Sequence, residues 1–178
     1  MFENYVSPWM DEELHIMRDA VKKFIAKEFT PRTATWEKQG FVDRDAWLKA
    51  GEAGLLCASI PSEYGGGGGN FRHEMVLVEE LAYANISGFG NGVHSGIVAH
   101  YINNYGSEAQ KLKWLPKMAS GEIVSAIAMT EPGAGSDLQA ISTTGILQGD
   151  HYLINGQKTF LTNGQSANLI CVVVKTDP

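Results

Sequence analysis

The segment Thr130-Glu131-Pro132-Gly133-Ala134-Gly135-Ser136-Asp137 holds the densest set of groups able to do chemistry in the chain. It follows directly on Ile123 to Met129, a short apolar run without helical period that reads as a buried strand. A fixed proline, two glycines and short polar side chains favour a sharp turn that exposes N–H and hydroxyl donors. Donors held at a rigid strand end suit a planar, acceptor-rich ring or a pyrophosphate. A plain strand-to-loop turn would have the same composition, so both readings stay open on these residues alone. Glu131 in the same turn has the chemistry of a general base. Without visible burial or a partner, a structural role is the preferred reading.

Other candidates point away from chemistry. Glycine-rich loops such as Gly65 to Gly69 can cradle phosphates through bare N–H groups. No Lys-Ser/Thr follows this one and no strand-then-helix dinucleotide unit surrounds it, so a flexible connector between helices is expected. His15, His73, His94, His100 and His151 lack H-E-x-x-H or any comparable metal spacing and read as solvated or core histidines. Glu12-Glu13 and Glu79-Glu80 read, at least in part, as helix-surface carboxylates. Cys57 and Cys171 lie far apart, make no disulfide framework or zinc site, and read as small buried hydrophobes. A formal net charge of -6 lacks the cationic face that nucleic acid requires. No apolar run reaches membrane-spanning length, and Met1 to Pro8 shows no basic leader. The expectation is a soluble cytoplasmic protein, or a mitochondrial matrix protein if eukaryotic, with no nucleic-acid or membrane partner.

The elements that must position these residues fall into two halves. Ser7-Pro8 reads as a cap with proline in the first turn, and Met10, Leu14, Met17, Val21, Phe24 and Ile25 form one apolar stripe ended by Pro31. Asp43 reads as the cap of a second helix through Trp47 and Leu48, closed near Gly51 or Gly54. A third helix is expected around Met75 to Ala82 and a fourth around Gly96 to Tyr101. Ser107 and Gln110 have capping-box spacing and open a fifth, with Pro116 leaving its second half open. Past Gly121 the period changes. Ile123 to Met129, Thr143 to Leu147, Tyr152 to Ile154, Thr159 to Thr162 and Leu169 to Val174 read as strands. Asn155-Gly156 is the strongest hairpin signal, with further turns at Gly149-Asp150 and Asn163-Gly164. The class is α+β: an all-α domain over 1–122, then an incomplete antiparallel β-barrel or sandwich over 123–178. A sheet of roughly four or five strands that stopped there would leave an open edge, so the natural protein is expected to continue.

Several ordered motifs together resemble the acyl-CoA dehydrogenase family, most nearly its long-chain or branched-chain members. They are Ile60-Pro61-Ser62-Glu63-Tyr64-Gly65-Gly66, Glu79-Glu80-Leu81-Ala82, Tyr105-Gly106-Ser107-Glu108-Ala109-Gln110-Lys111, Ala126 to Asp137, and Leu153 to Gly164. The resemblance implies FAD as cofactor, an acyl-CoA substrate, an electron-transfer flavoprotein as acceptor, and a homotetramer or homodimer for the full-length oxidoreductase. It also implies a C-terminal helical bundle, absent here, that carries the catalytic glutamate. By motif match Ile127, Ala128, Met129 and Thr130 would run along the flavin ring, Gly135 and Ser136 would lie by its tail, and Ser136 would touch CoA. Phe160, Leu161 and Thr162 would pack on the ring's other side; many relatives have tryptophan where Phe160 stands. Glu131 is not the base in this family. Ser95, Gly96 and Ala99 would lie on a helix bordering the acyl pocket. Two other readings are a flavin monooxygenase or nitroalkane oxidase on the same scaffold, and a non-catalytic acyl-CoA- or protein-binding module.

Overall fold

The computed structural model describes residues 7–177; most of the stretch Met1 to Pro8, read above for a leader, lies outside the described residues. Helix α1 (Glu12–Phe24) begins where Asp11 accepts a hydrogen bond from the Leu14 N–H at 3.1 Å. Asp11 therefore replaces Ser7 as the cap. Ser7 instead closes a preceding turn, its carbonyl accepting from Met10 N–H. Glu12 and Glu13 in the first turn and Lys22 and Lys23 in the last oppose the helix dipole at both ends. The expected stripe is buried: Leu14, Val21 and Ile25 lie in the core, with Met10, Met17 and Phe24 packed on its edge. Pro31 does not stop the helical path. A wide π-helical turn (Ile25–Phe29) and a 3-10 turn (Thr30–Arg32) place the proline where its missing N–H is not needed. The path then continues as α2 (Thr33–Gln39) to left-handed Gly40.

Asp43 occupies the cap position of α3 (Arg44–Glu52) without capping it by its side chain. Its carboxylate instead accepts from Trp36 Nε1 and Gln39 Nε2, each at 2.9 Å, and ties α2 to α3. Phe29 sits among Phe24, Trp36 and Phe89 at ring separations of 5.0, 5.3 and 4.7 Å, and Trp47 extends the cluster onto Phe89 at 4.3 Å. Helix α4 (Phe71–Tyr83) packs on α1 and is tied to it through Arg18, which meets Glu79 at 2.7 Å and buried Glu80 at 3.2 Å. Glu80 is thus not a surface carboxylate. A short helix α5 (Asn91–Val93), a π-helical turn (His94–Val98) and α6 (Ala99–Tyr105) follow as one rod. Helix α7 (Glu108–Ala119) carries the expected Ser107/Gln110 capping box and runs through Pro116.

The glycine run is a packed lap rather than a flexible connector. Gly66, Gly67, Gly68 and Gly69 donate their N–H groups to the carbonyls of Pro61, Cys57, Ile60 and Ala58. A Cβ on Gly66 would lie 2.2 Å from the Ile60 oxygen, and one on Gly67 2.7 Å from that of Ala58. Backbone lies on backbone, which only glycine allows, and those donors are spent internally rather than offered to a phosphate.

The β half holds two strand pairs among the described residues. Strand β1 (Ser125–Ala128) pairs with β4 (Leu169–Val172), and β2 (Thr144–Gln148) with β3 (His151–Asn155). The class is α+β as expected, but β1 and β4 run parallel, Ser125 opposite Leu169, because the whole β2–β3 ribbon forms their crossover. Only β2–β3 is antiparallel. Its turn is Gly149-Asp150, with Gly149 left-handed at φ +65°, and not Asn155-Gly156. Gly156 serves close packing instead: a Cβ there would meet the Thr143 hydroxyl at 2.3 Å. Thr159 to Thr162 is not a strand, because Phe160 and Asn163 turn left-handed at φ +55° and +63°.

The halves join at His94, which is fully buried. Its Nε2 lies 3.1 Å from the Met118 carbonyl, and its Nδ1 accepts the N–H of Ser125 at 3.1 Å. Accepting at Nδ1 while facing a carbonyl at Nε2 requires the neutral Nε2–H tautomer. Burial, against a smaller opposing contribution from the Met118 carbonyl, pushes the imidazole down to about 4. The unfolded chain takes up that proton near pH 6.5, so folding loses stability as pH falls from there toward 4, by about 3 kcal/mol in all. Chemical denaturation across this range should show that slope, and His94→Gln, which keeps a donor toward Met118, should flatten it.

Candidate functional site

The turn after β1 is built on Glu131. Its N–H and carbonyl exchange hydrogen bonds with Ala134 at 2.9 and 3.1 Å, closing Pro132-Gly133 into a tight corner. Its side chain turns inward, only 5% of the residue remaining exposed. The carboxylate accepts from the N–H and hydroxyl of Ser142 at 2.6 and 2.7 Å, and from the N–H (2.9 Å) and hydroxyl of Thr143. Lys158 Nζ adds a fifth contact at 2.9 Å and also donates to the Met129 carbonyl at 3.0 Å. The Thr143 hydroxyl, then the Ser142 N–H and Lys158, hold the carboxyl far below the usual carboxylate range. A group so stabilised as an anion does not collect protons. Glu131 is a structural carboxylate, not a general base.

The sequence-expected residues flank that anchor on two stretches of chain, β1 with its following turn and the segment after β3. Ala128 is buried in β1, while Ile127, Met129 and Thr130 are half-buried at its end. Thr159 N–H donates to the Thr130 carbonyl at 2.9 Å, which lays Phe160, Leu161 and Thr162 beside the strand end. Phe160 is 90% exposed and left-handed, an unusual pairing of properties for an aromatic residue. Such a backbone costs about 1–3 kcal/mol and persists only when its surroundings enforce it. Leu161 is half-buried and Thr162 exposed. Gly135 and Ser136 are exposed on the far side of the corner, and no atom lies within 4 Å of a Cβ built on Gly133 or Gly135. The result is a shelf: a strand end with a hydroxyl, an uncovered aromatic ring, and an open glycine corner. This combination suits a flat, acceptor-rich ligand.

Of the three small residues expected at the acyl pocket, Ser95 and Ala99 are buried in the intrachain core. The Ser95 hydroxyl is committed to Cys57 N–H at 2.8 Å and to Asn91 Oδ1 at 2.6 Å. Only Gly96 faces open space. The structure adds a feature not foreseen from sequence, a groove of about 410 Å³ lined by Val78, Leu81, Ala82, Ile86, Phe89 and Gly92. Val78, Leu81 and Ala82 are one face of α4, but Ile86 and Phe89 belong to the loop beyond it, and no periodic pattern joins the two segments.

The Glu131 account is testable by denaturation of Glu131→Gln, which keeps shape but removes the charge facing Lys158. The variant should melt several degrees lower at neutral pH. Because the carboxyl is depressed in the folded state, its contribution is full above the unfolded value of about 4.3 and fades as pH falls below it. Wild type and variant should therefore converge in acid; equal stability at neutral pH would refute the account.

Two family models match the chain: the acyl-CoA dehydrogenase N-terminal domain over residues 11–122 and the middle domain over residues 126–178. The long-chain specific acyl-CoA dehydrogenase of Sus scrofa mitochondria is 46% identical over 165 residues, spanning 93% of this chain and 38% of that protein. An acyl-CoA dehydrogenase structure from Geobacillus kaustophilus superposes with a TM-score of 0.93 at 50% identity, over 97% of this chain and 46% of the other. One from Bacillus anthracis, solved in complex with FAD, superposes with a TM-score of 0.89 at 34% identity, over 97% and 31%. The chain thus spans less than half the length of these relatives, and it belongs to the acyl-CoA dehydrogenase family.

Proposed function

We propose that this chain supplies the cofactor shelf and helical floor of an enzyme that carries out FAD-dependent α,β-dehydrogenation of acyl-CoA thioesters. The observation that carries the reading is the Thr159–Thr130 hydrogen bond, which sets an exposed, left-handed Phe160 beside the strand end. When bound, FAD supplies the acceptor for the hydride lost from the substrate β-carbon. The residues present fit that group. Ile127, Ala128, Met129 and Thr130 offer a straight edge with a hydroxyl, and donors there favour negative charge at a facing ring. Phe160, Leu161 and Thr162 close the other side and keep water from it. Gly135 and Ser136, in open space, accommodate a phosphate-bearing tail and the CoA moiety, with Ser136 as the CoA contact.

In this reading residues 1–122 form the α domain and 123–178 open the middle β domain. The base is a carboxylate outside these residues, consistent with Glu131 being committed to five donors. An electron-transfer flavoprotein takes the electrons, and the full-length protein is a homodimer or homotetramer of the bacterial cytoplasm or the mitochondrial matrix. Relatives from mitochondria and from bacteria support either location. No described helix is long and apolar enough to cross a membrane.

Expression of the complete reading frame should give a yellow protein whose flavin absorbance bleaches anaerobically on adding an acyl-CoA. A colourless full-length protein, or a yellow one indifferent to acyl-CoA, would defeat the proposal.

A further inference from the structure

Asn163 ends the Phe160–Thr162 segment and spends its side-chain amide on two different parts of the fold. Its Nδ2 donates to the carbonyl of Gly90, in the loop before α5, at 3.0 Å. It also donates to the carbonyl of Ser125, the first residue of β1, at 3.0 Å. Gly90 has no space to spare, since a Cβ there would lie 2.3 Å from Asn163 Oδ1 and 2.7 Å from Thr162 Cγ2. The other end of the segment is fixed by Thr159 N–H on the Thr130 carbonyl. A short span is thus held at both ends, with the exposed ring of Phe160 between them. Gly90 in turn lies between Phe89 and Gly92, which line the apolar groove.

We propose that Asn163 is a positioning residue: its amide locks the Phe160–Thr162 segment to β1 and to the groove wall, and so sets the height and tilt of the surface that meets the flavin. The proposal rests on the cofactor reading above. The plainer account is that Asn163 is only a turn residue, present because asparagine tolerates a left-handed backbone. The two accounts part on substitution by glycine. Glycine adopts positive φ at no steric cost, so a turn residue would be replaced without loss. A clamp would be lost, because glycine carries no amide. Asn163→Asp separates them again: it keeps size and tolerance of positive φ while placing an acceptor against two carbonyls.

The test uses the full-length protein and two readouts. Hydrogen–deuterium exchange of the FAD-free protein follows residues 159–163 with no cofactor needed. Titration with FAD, read by flavin fluorescence and by the shape of the bound flavin's visible spectrum, follows the surface they form. Asn163→Gly and Asn163→Asp should both speed exchange in this segment while leaving α1 and α4 unchanged. Both should weaken FAD binding on the order of tenfold or more, as expected for two lost hydrogen bonds, and alter the bound flavin's spectrum. Exchange unchanged in Asn163→Gly would overturn the clamp. Faster exchange with FAD affinity and spectrum unchanged would overturn its positioning role. If wild type itself bound no FAD, the cofactor reading would fall, and faster exchange in the variants would still support the clamp.

Discussion

A carboxylate taken out of water must be met by donors, and Glu131 draws its donors from two separate stretches of chain, so that three stretches converge on it. Ser142 and Thr143 arrive from the entry to β2, Lys158 from the exit of β3, and the glutamate itself from the exit of β1. Each brings a piece of the shelf with it. Lys158 stands two residues before Phe160 and also holds the Met129 carbonyl, so one ammonium group fixes both lips of the site. An unmatched charge at this position would be strongly disfavoured, which makes the arrangement close to all-or-none. The corner of Pro132 and Gly133 is open to a ligand because Glu131 points the other way.

A second constraint joins this corner to the helices. His94 sits where a rod of the helical half meets β1, and the pattern of its two nitrogens leaves one protonation state compatible with both neighbours. Strand β1 therefore enters the site at a height set by α7 through Met118 and by the turn carrying His94. The aromatic cluster of Phe29, Trp36, Trp47 and Phe89 backs that rod, with the Trp47 ring 5.1 Å from the imidazole. Positions at the shelf are thus determined by packing well inside the helical half.

The sequence made the helical stripe, the capping box at Ser107, strand β1 and the Thr130–Asp137 corner legible, because each rests on local periodicity or turn chemistry. Relations between distant segments were hidden. The parallel pairing of β1 with β4 has no local signal, since it depends on where a long crossover returns. Asn155-Gly156 carried the better hairpin signature, yet the ribbon turns at Gly149-Asp150, because the pairing partners of β2 decide which turn is used. Thr159 to Thr162 has strand-like composition, but Lys158 and Asn163 are both tied elsewhere and the backbone between them is bent left-handed. The glycine run has the composition of a flexible connector, because its partners, Cys57 to Pro61, show nothing in their residue types that asks for a backbone neighbour. The candidate site residues are proposed through family resemblance; His94 carries no motif of its own, and Asn163, though inside the Leu153 to Gly164 motif and a turn signal, shows nothing in sequence of the two carbonyls its amide meets.

The β2–β3 ribbon has a consequence for what this polypeptide can stick to. Ile146 and Leu147 on one strand, and Tyr152, Leu153 and Ile154 on the other, are all 40% or more exposed. Neighbouring residues along a strand point to opposite faces, so the ribbon is greasy on both sides, with only short lengths of backbone and one tight bend to discourage stacking. A two-sided adhesive strip of this kind requires cover above and below. Left bare, such a strip is the kind of apolar surface that pairs readily with another of its kind.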